Sequence, residues 1–259
     1  TDYPGPDAYK RVEYNEQTFL SAYGEGKSQA DALLEQVEGP KEELNAYSEK
    51  RLQDLEAAVN ALSKTVHDVA VKEQKILKDP LLSDLGRSQE REKLISEAAD
   101  KIMQNLEPLK RIRGEVNQTI NTIELRKPEQ HDPYLSKEIR DGLRRMDHSD
   151  RMKIYLENCQ NPTEDGLPFF EAVERQIPGL PNLIDPDIRK QGRWTRAMAE
   201  NPVADSKLKL AKIAANQTYV AATRAFKALT DGGLKDAHKH QAGLEEHREE
   251  TQEFFNQEI

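Results

Sequence analysis

The chain has 259 residues and a formal charge of −9, with 33% charged and 36% hydrophobic residues. Globular domains usually hold about 25% charged and 45–50% apolar residues, so composition points away from one thick core and towards an elongated architecture with thin cores. The acidity argues against a nucleic-acid backbone as main partner, and no apolar run reaches the roughly 20 residues of a membrane-spanning helix.

Residues 1–38 read as a leader followed by short helices. The start, TDYPGPDAYKRVEY, lacks the basic-then-apolar layout of a signal peptide, so a secreted fate is not expected. Its Pro/Gly-rich part carries Tyr3 and Tyr9, aromatics free to lie against a partner. Gly24-Glu25-Gly26-Lys27-Ser28 invites comparison with a phosphate-binding loop, but Ser21 stands where the first glycine belongs and RVEYNEQTFL before it is not a strand. A glycine turn is expected instead, with Ser28 to Asp31 as a capping box opening a short helix through Ala32, Leu33 and Val37.

The strongest periodicity follows. Leu52, Val59 and Val66 recur every seven residues, with Leu55, Leu62, Val69 and Ile76 as the companion series and Glu73 as an interruption. Ile95, Ile102, Leu109, Val116 and Ile123 repeat the pattern, with Ala98 and Ile112 between them. Two helices of about 35–40 residues, each roughly 55 Å long, joined by Asp79–Ser88, predict an antiparallel coiled-coil hairpin over 39–128. Pro108 predicts a kink in the second helix.

Shorter helices are expected at 133–146, 148–160, 167–177, 186–200 and 202–230, which with their connections form a module over 129–231. Asp79-Pro80, Asp132-Pro133, Asp185-Pro186 and Asn201-Pro202 each pair a capping side chain with a proline suited to a first helical turn. The helix from 202 carries Leu208, Ala215, Ala222 and Leu229 at sevenfold spacing, and its alanines allow close approach of a neighbour. After Asp231-Gly232-Gly233, residues 232–259 read as an acidic helix ending near Phe254 and Phe255. The fold class is therefore all-α, a long hairpin plus a smaller multi-helix module.

Candidate chemistry is sparse. His238, His240 and His247 lack the spacing of a zinc site, so surface histidines are expected, and no cofactor is implied. Cys159 is the single cysteine; it excludes an intrachain disulfide, fits a reducing compartment and reads as a small buried thiol. Arg193 and Arg196 flank Trp194, the one tryptophan, a combination that anchors protein interfaces. The competing reading is a salt-bridged helix with Trp194 in the core. Candidate partner contacts are thus Tyr3, Tyr9, Arg193, Trp194, Arg196, Phe254 and Phe255.

Residues 136–161, SKEIRDGLRRMDHSDRMKIYLENCQN, and the segment FFEAVERQIPGLPNLIDPDI from Phe169 resemble a recurring part of helical proteins encoded among the structural genes of tailed phages and prophages. The resemblance covers about residues 136–188 and brings no catalytic residue with it. It implies a non-enzymatic virion or assembly protein, cytoplasmic or virion-associated, in contact with other protein subunits as a homo-oligomer or larger assembly. A cytoplasmic coiled-coil adaptor or chaperone-like factor is the alternative, and a metal-dependent enzyme on a helical scaffold a distant third.

Overall fold

The computed structural model describes residues 11–37, 40–121, 123, 133–161, 166–175, 182–231 and 237–256. These residues form ten α-helices and, among them, no strand. They divide into two compact units, one comprising the chain to Val116 together with Lys207–Phe255, the other Asn117–Ser206 with the last four residues. Compactness thus groups residues 207–231 with the first unit rather than with the helices that precede them.

In the first unit, α1 (Glu16–Gln36) packs on α2 (Lys41–Lys78), and α2 on α3 (Asp84–Gln104). The heptad positions are largely buried: Leu55, Val59, Leu62, Val66 and Val69 of α2, and Ile95, Ala98 and Ile102 of α3. Leu52 and Ile76 are half-buried. Pro108 does more than kink the second helix. Without an N–H to donate it ends the regular ladder, so α3 stops at Gln104 and α4 (Pro108–Asn121) begins afresh. Between them the backbone tightens to three-residue spacing, with Leu106 N–H donating to Met103 C=O (3.1 Å) and Glu107 N–H to Gln104 C=O (3.1 Å). Leu109, Ile112 and Val116 continue the buried stripe on α4.

The glycine turn expected near residue 26 does not exist. Gly24, Gly26 and Ser28 all lie inside α1, whose N-cap is Asn15, its side chain accepting the Gln17 N–H. Tertiary packing explains the glycine that local propensity would expel: a Cβ on Gly26 would sit 2.6 Å from Leu55 Cδ2 and 3.3 Å from Gln217 Cγ. Likewise Asp79-Pro80 does not open a helix. Asp79 is the C-cap of α2, and its carboxylate accepts the Leu81 N–H in the turn (2.9 Å), while Ser83 caps α3.

α9 (Pro202–Asp231) contributes its residues from Lys207 on to the first unit. Ala211, Ala214, Ala215, Ala221, Ala222 and Ala225 are buried along it, together with Leu210, Tyr219, Phe226 and Leu229. These alanines share one helix face, where small side chains let a neighbouring backbone approach closely. α10 (Ala237–Asn256) turns Leu244 and Thr251 inward.

The second unit contains α5 (Pro133–Arg145), α6 (His148–Gln160), α7 (Leu167–Glu174) and α8 (Pro186–Glu200). α6 packs on α7 and α8, and α5 on α7. Leu143, Met152, Tyr155, Cys159, Phe170, Val173 and Ile184 form its core. At Asp185-Pro186 the predicted cap is present, Asp185 accepting the Asp187 N–H at 2.9 Å.

Candidate interaction surfaces

In the second unit the Arg/Trp cluster is organised by one carboxylate. Glu174, almost buried at the end of α7, accepts from Arg193 Nε (2.5 Å) and from the Tyr155 hydroxyl (3.2 Å), and pairs with Arg189 at 3.6 Å. Arg196 is buried and engaged within the unit: its Nε donates to Glu200 (2.6 Å) and its Nη1 to the Asn161 carbonyl. Trp194 is half-buried. Gly192 is where α8 meets Tyr155, for a Cβ there would lie 2.6 Å from the ring Cζ. Burial raises the Tyr155 hydroxyl well above its ordinary range, and burial pushes the Cys159 thiol up to about 12 despite the Tyr155 hydrogen bond. A thiol so protonated is a weak nucleophile near neutral pH.

Tyr3 and Tyr9 lie outside the described residues, as does the side chain of Phe255. Phe254 is half-buried on α10, with the Arg113 guanidinium of α4 over its ring at 5.8 Å. One turn earlier, the Tyr219 hydroxyl of α9 meets His247 Nδ1 and Thr251 Oγ1 (2.8 Å) and donates to the His247 carbonyl (3.0 Å). Burial, followed by the Arg113 charge, lowers the His247 pKa below its ordinary value. His247 therefore serves to seat α10, whereas the side chains of His238 and His240 are outside the described residues. Among the described residues no three His, Cys, Asp or Glu side chains converge as a metal site.

Ion pairs stitch the first unit together. The interruption at Glu73 is answered by Arg91, which occupies the facing seam, and both are buried. Glu73 also accepts the Val12 N–H (2.9 Å), and Tyr14 hydrogen-bonds Ser63 (2.9 Å), so residues 11–15 are bound down along α2. Farther along, Arg51 is 1% exposed and pairs with Glu115 of α4 (2.7 Å) while lying over the Tyr47 ring. Burial pushes the Glu115 carboxyl up, but hydrogen bonding by Lys50 and the Arg51 charge bring it below its usual value. A groove of about 880 Å³ is lined by Arg11, Asn15 and Phe19 on one side and Arg224, Lys227 and Asp231 on the other. Arg224 is committed there to the Thr18 carbonyl (2.8 Å) and Ser21 Oγ (2.7 Å).

Among the described residues the most exposed large apolar side chain lies in the connection between α2 and α3, with Tyr134 and Leu135 of α5 exposed as well. Leu81 is 91% exposed, Leu85 46% and Val71 41%. Beside them a cleft of about 420 Å³ is lined by Val71, Gln74, Lys75, Lys78, Asp79 and Pro80. The turn is braced rather than loose: the Asp79 carbonyl accepts from Arg87 Nη2 (2.8 Å) and Nε (3.3 Å), and Arg87 Nη1 donates to Asp84 (3.1 Å). Ser83 Oγ accepts the Gly86 N–H (3.1 Å). No candidate side chain was assigned here from sequence. The signal, consecutive Leu81 and Leu82 in a polar ten-residue link, was present but reads equally as a buried turn.

Comparison of the chain with family models, curated proteins and solved structures finds no match.

Proposed function

We propose that this is a non-enzymatic structural or assembly protein acting through protein–protein contacts, with a tailed-phage virion as the setting that the resemblance of residues 136–188 implies. The observation that carries this reading is the braced α2–α3 turn, which holds Leu81 almost wholly in solvent. A large apolar side chain fixed in water forgoes about 1.5–3 kcal/mol of burial. Three side-chain brackets keep it there, a pattern suited to contact with another protein surface. Trp194, half-buried on α8, and Phe254 on α10 remain candidate secondary contacts.

The test is fractionation of the source cells or particles with detection of the native chain. Co-sedimentation with a large particle at a fixed copy number is the expected result. A chain recovered with one soluble partner favours the adaptor alternative, and a free chain that turns over a substrate overturns the reading.

A further inference from the structure

Resting on that reading, we infer that the α2–α3 turn docks onto α10 of a second copy of the same chain. Val71, Lys75 and Lys78 fall at i, i+4 and i+7, so they form one exposed stripe leading to Leu81. Neither lysine has an ion-pair partner among the described residues. The stripe is a local inversion of charge on a chain whose net charge is −9.

A complementary stripe stands on α10. Its inward positions are Leu244, His247, Thr251 and Phe254. The opposite side presents Glu246, Glu249 and Glu253, all exposed, at spacings of three and four. Lys75 and Lys78 are three residues apart, as are Glu246 and Glu249. Two helix faces so spaced can pair two charges side by side while Leu81 is removed from water.

Because the two surfaces differ, the contact is either made once, as a heterologous one, or twice about a two-fold axis. Made once, it leaves a turn and an acidic face free on the pair, so assembly proceeds to a ring or an open row; made twice, it closes as a dimer. Like net charges oppose it at long range, and the attraction acts within a screening length of about 8 Å at physiological salt. The association is therefore salt-sensitive.

The experiment is sedimentation velocity on the full chain over a range of concentrations, at low and high salt. Species larger than a monomer are expected at low salt, diminishing at high salt. The double variant Lys75→Glu/Lys78→Glu and the triple variant Glu246→Lys/Glu249→Lys/Glu253→Lys should each be monomeric. An equimolar mixture of the two should assemble again, since every contact in it is once more between opposite charges. Leu81→Ser should weaken association by about tenfold with charges intact. Helical circular dichroism checks that each variant is folded, and Leu81→Ser stands in for any charge variant that is not. A wild-type chain that stays monomeric overturns the inference. So does an oligomer indifferent to the reversals, or a mixture that fails to reassemble. In the oligomer case the protein-contact reading survives through a different surface; absence from any particle in the fractionation would remove that reading separately.

Discussion

The two units solve the same problem, holding helices together in a charge-rich chain, in different ways. The first has a long apolar seam and admits charge into it at one fully buried pair, Glu73 with Arg91. The second has a small core and holds Arg189 and Arg193 beside it on Glu174, where Arg193 remains 40% exposed. A charge inside a seam has no water to fall back on, whereas a charge at the rim does. The difference teaches where substitutions should hurt.

The largest effect is expected at the buried pair. Glu73→Gln leaves the Arg91 guanidinium without its counter-charge and should destabilise the first unit by about 3–5 kcal/mol in urea titration. Replacing both with leucine should recover most of that loss, because the seam then becomes continuous. A small loss in Glu73→Gln, whose amide oxygen can still accept the Val12 N–H, beside a larger loss in the double variant would show that Glu73 acts through Val12 rather than through Arg91.

Next in size is Glu174→Ala. It frees Arg189, Arg193 and Tyr155 together, yet the arginines can hydrate, so about 2 kcal/mol is expected in the same measurement. A loss matching that of Glu73→Gln would erase the contrast between seam and rim. Gly192→Ala forces a methyl against the buried Tyr155 ring and should cost about 1–3 kcal/mol. Gly26→Ala meets Leu55 Cδ2 and Gln217 Cγ, but about 1 kcal/mol of helix propensity offsets part of that clash, so its net cost should be smaller.

Acid should separate the units further. The folded pKa of His247 is depressed, so the stability it contributes is present above the ordinary histidine value and is lost as pH falls through and below it. Glu115, also depressed, adds a second loss at lower pH, as pH falls through and below the ordinary carboxylate value. Thermal melts from pH 7.5 to 5 should show a weakening that His247→Gln flattens. Smallest of all, in the dissociated chain at high salt, Leu81→Ser should change stability by no more than about 0.5 kcal/mol, since nothing within the chain covers that side chain. A clear destabilisation there would mean that Leu81 is a packing residue.

Cys159 offers an independent probe of the second unit. With its thiol buried and raised to about 12, alkylation of the native chain at pH 8 should be slow and should accelerate in step with unfolding. Rapid native labelling would show that the small core opens locally.

Much of the local structure was legible in the sequence. Prolines preceded by Asp or Asn placed the starts of α8 and α9: the Asp185 carboxylate caps α8, while Asn201 donates its amide to the Ala197 carbonyl at the end of α8 and Pro202, with no N–H to satisfy, opens α9. The heptads gave the buried stripes of α2 and α3, since helical period alone decides which residues share a face. Of the candidate contacts, Arg193 and Trp194 were found on α8 as expected, whereas the burial of Arg196 follows from Asn161 and Glu200 closing around it.

What only the tertiary structure decided are the matters that depend on residues far apart in the chain. Gly24 and Gly26 look like a break, but Leu55 and Gln217 crowd the position of a side chain at Gly26, Gly24 faces open space, and α1 runs through both. Glu73 looks like a defect until Arg91 is set opposite it. Residues 207–231 follow the second unit in sequence yet pack in the first. The charged, apolar-poor composition and the helical periods were thus determined locally, by backbone geometry and side-chain spacing. The identity of each buried partner, and the exposure of Leu81, depended on which distant surfaces the fold brought together and which it left in water.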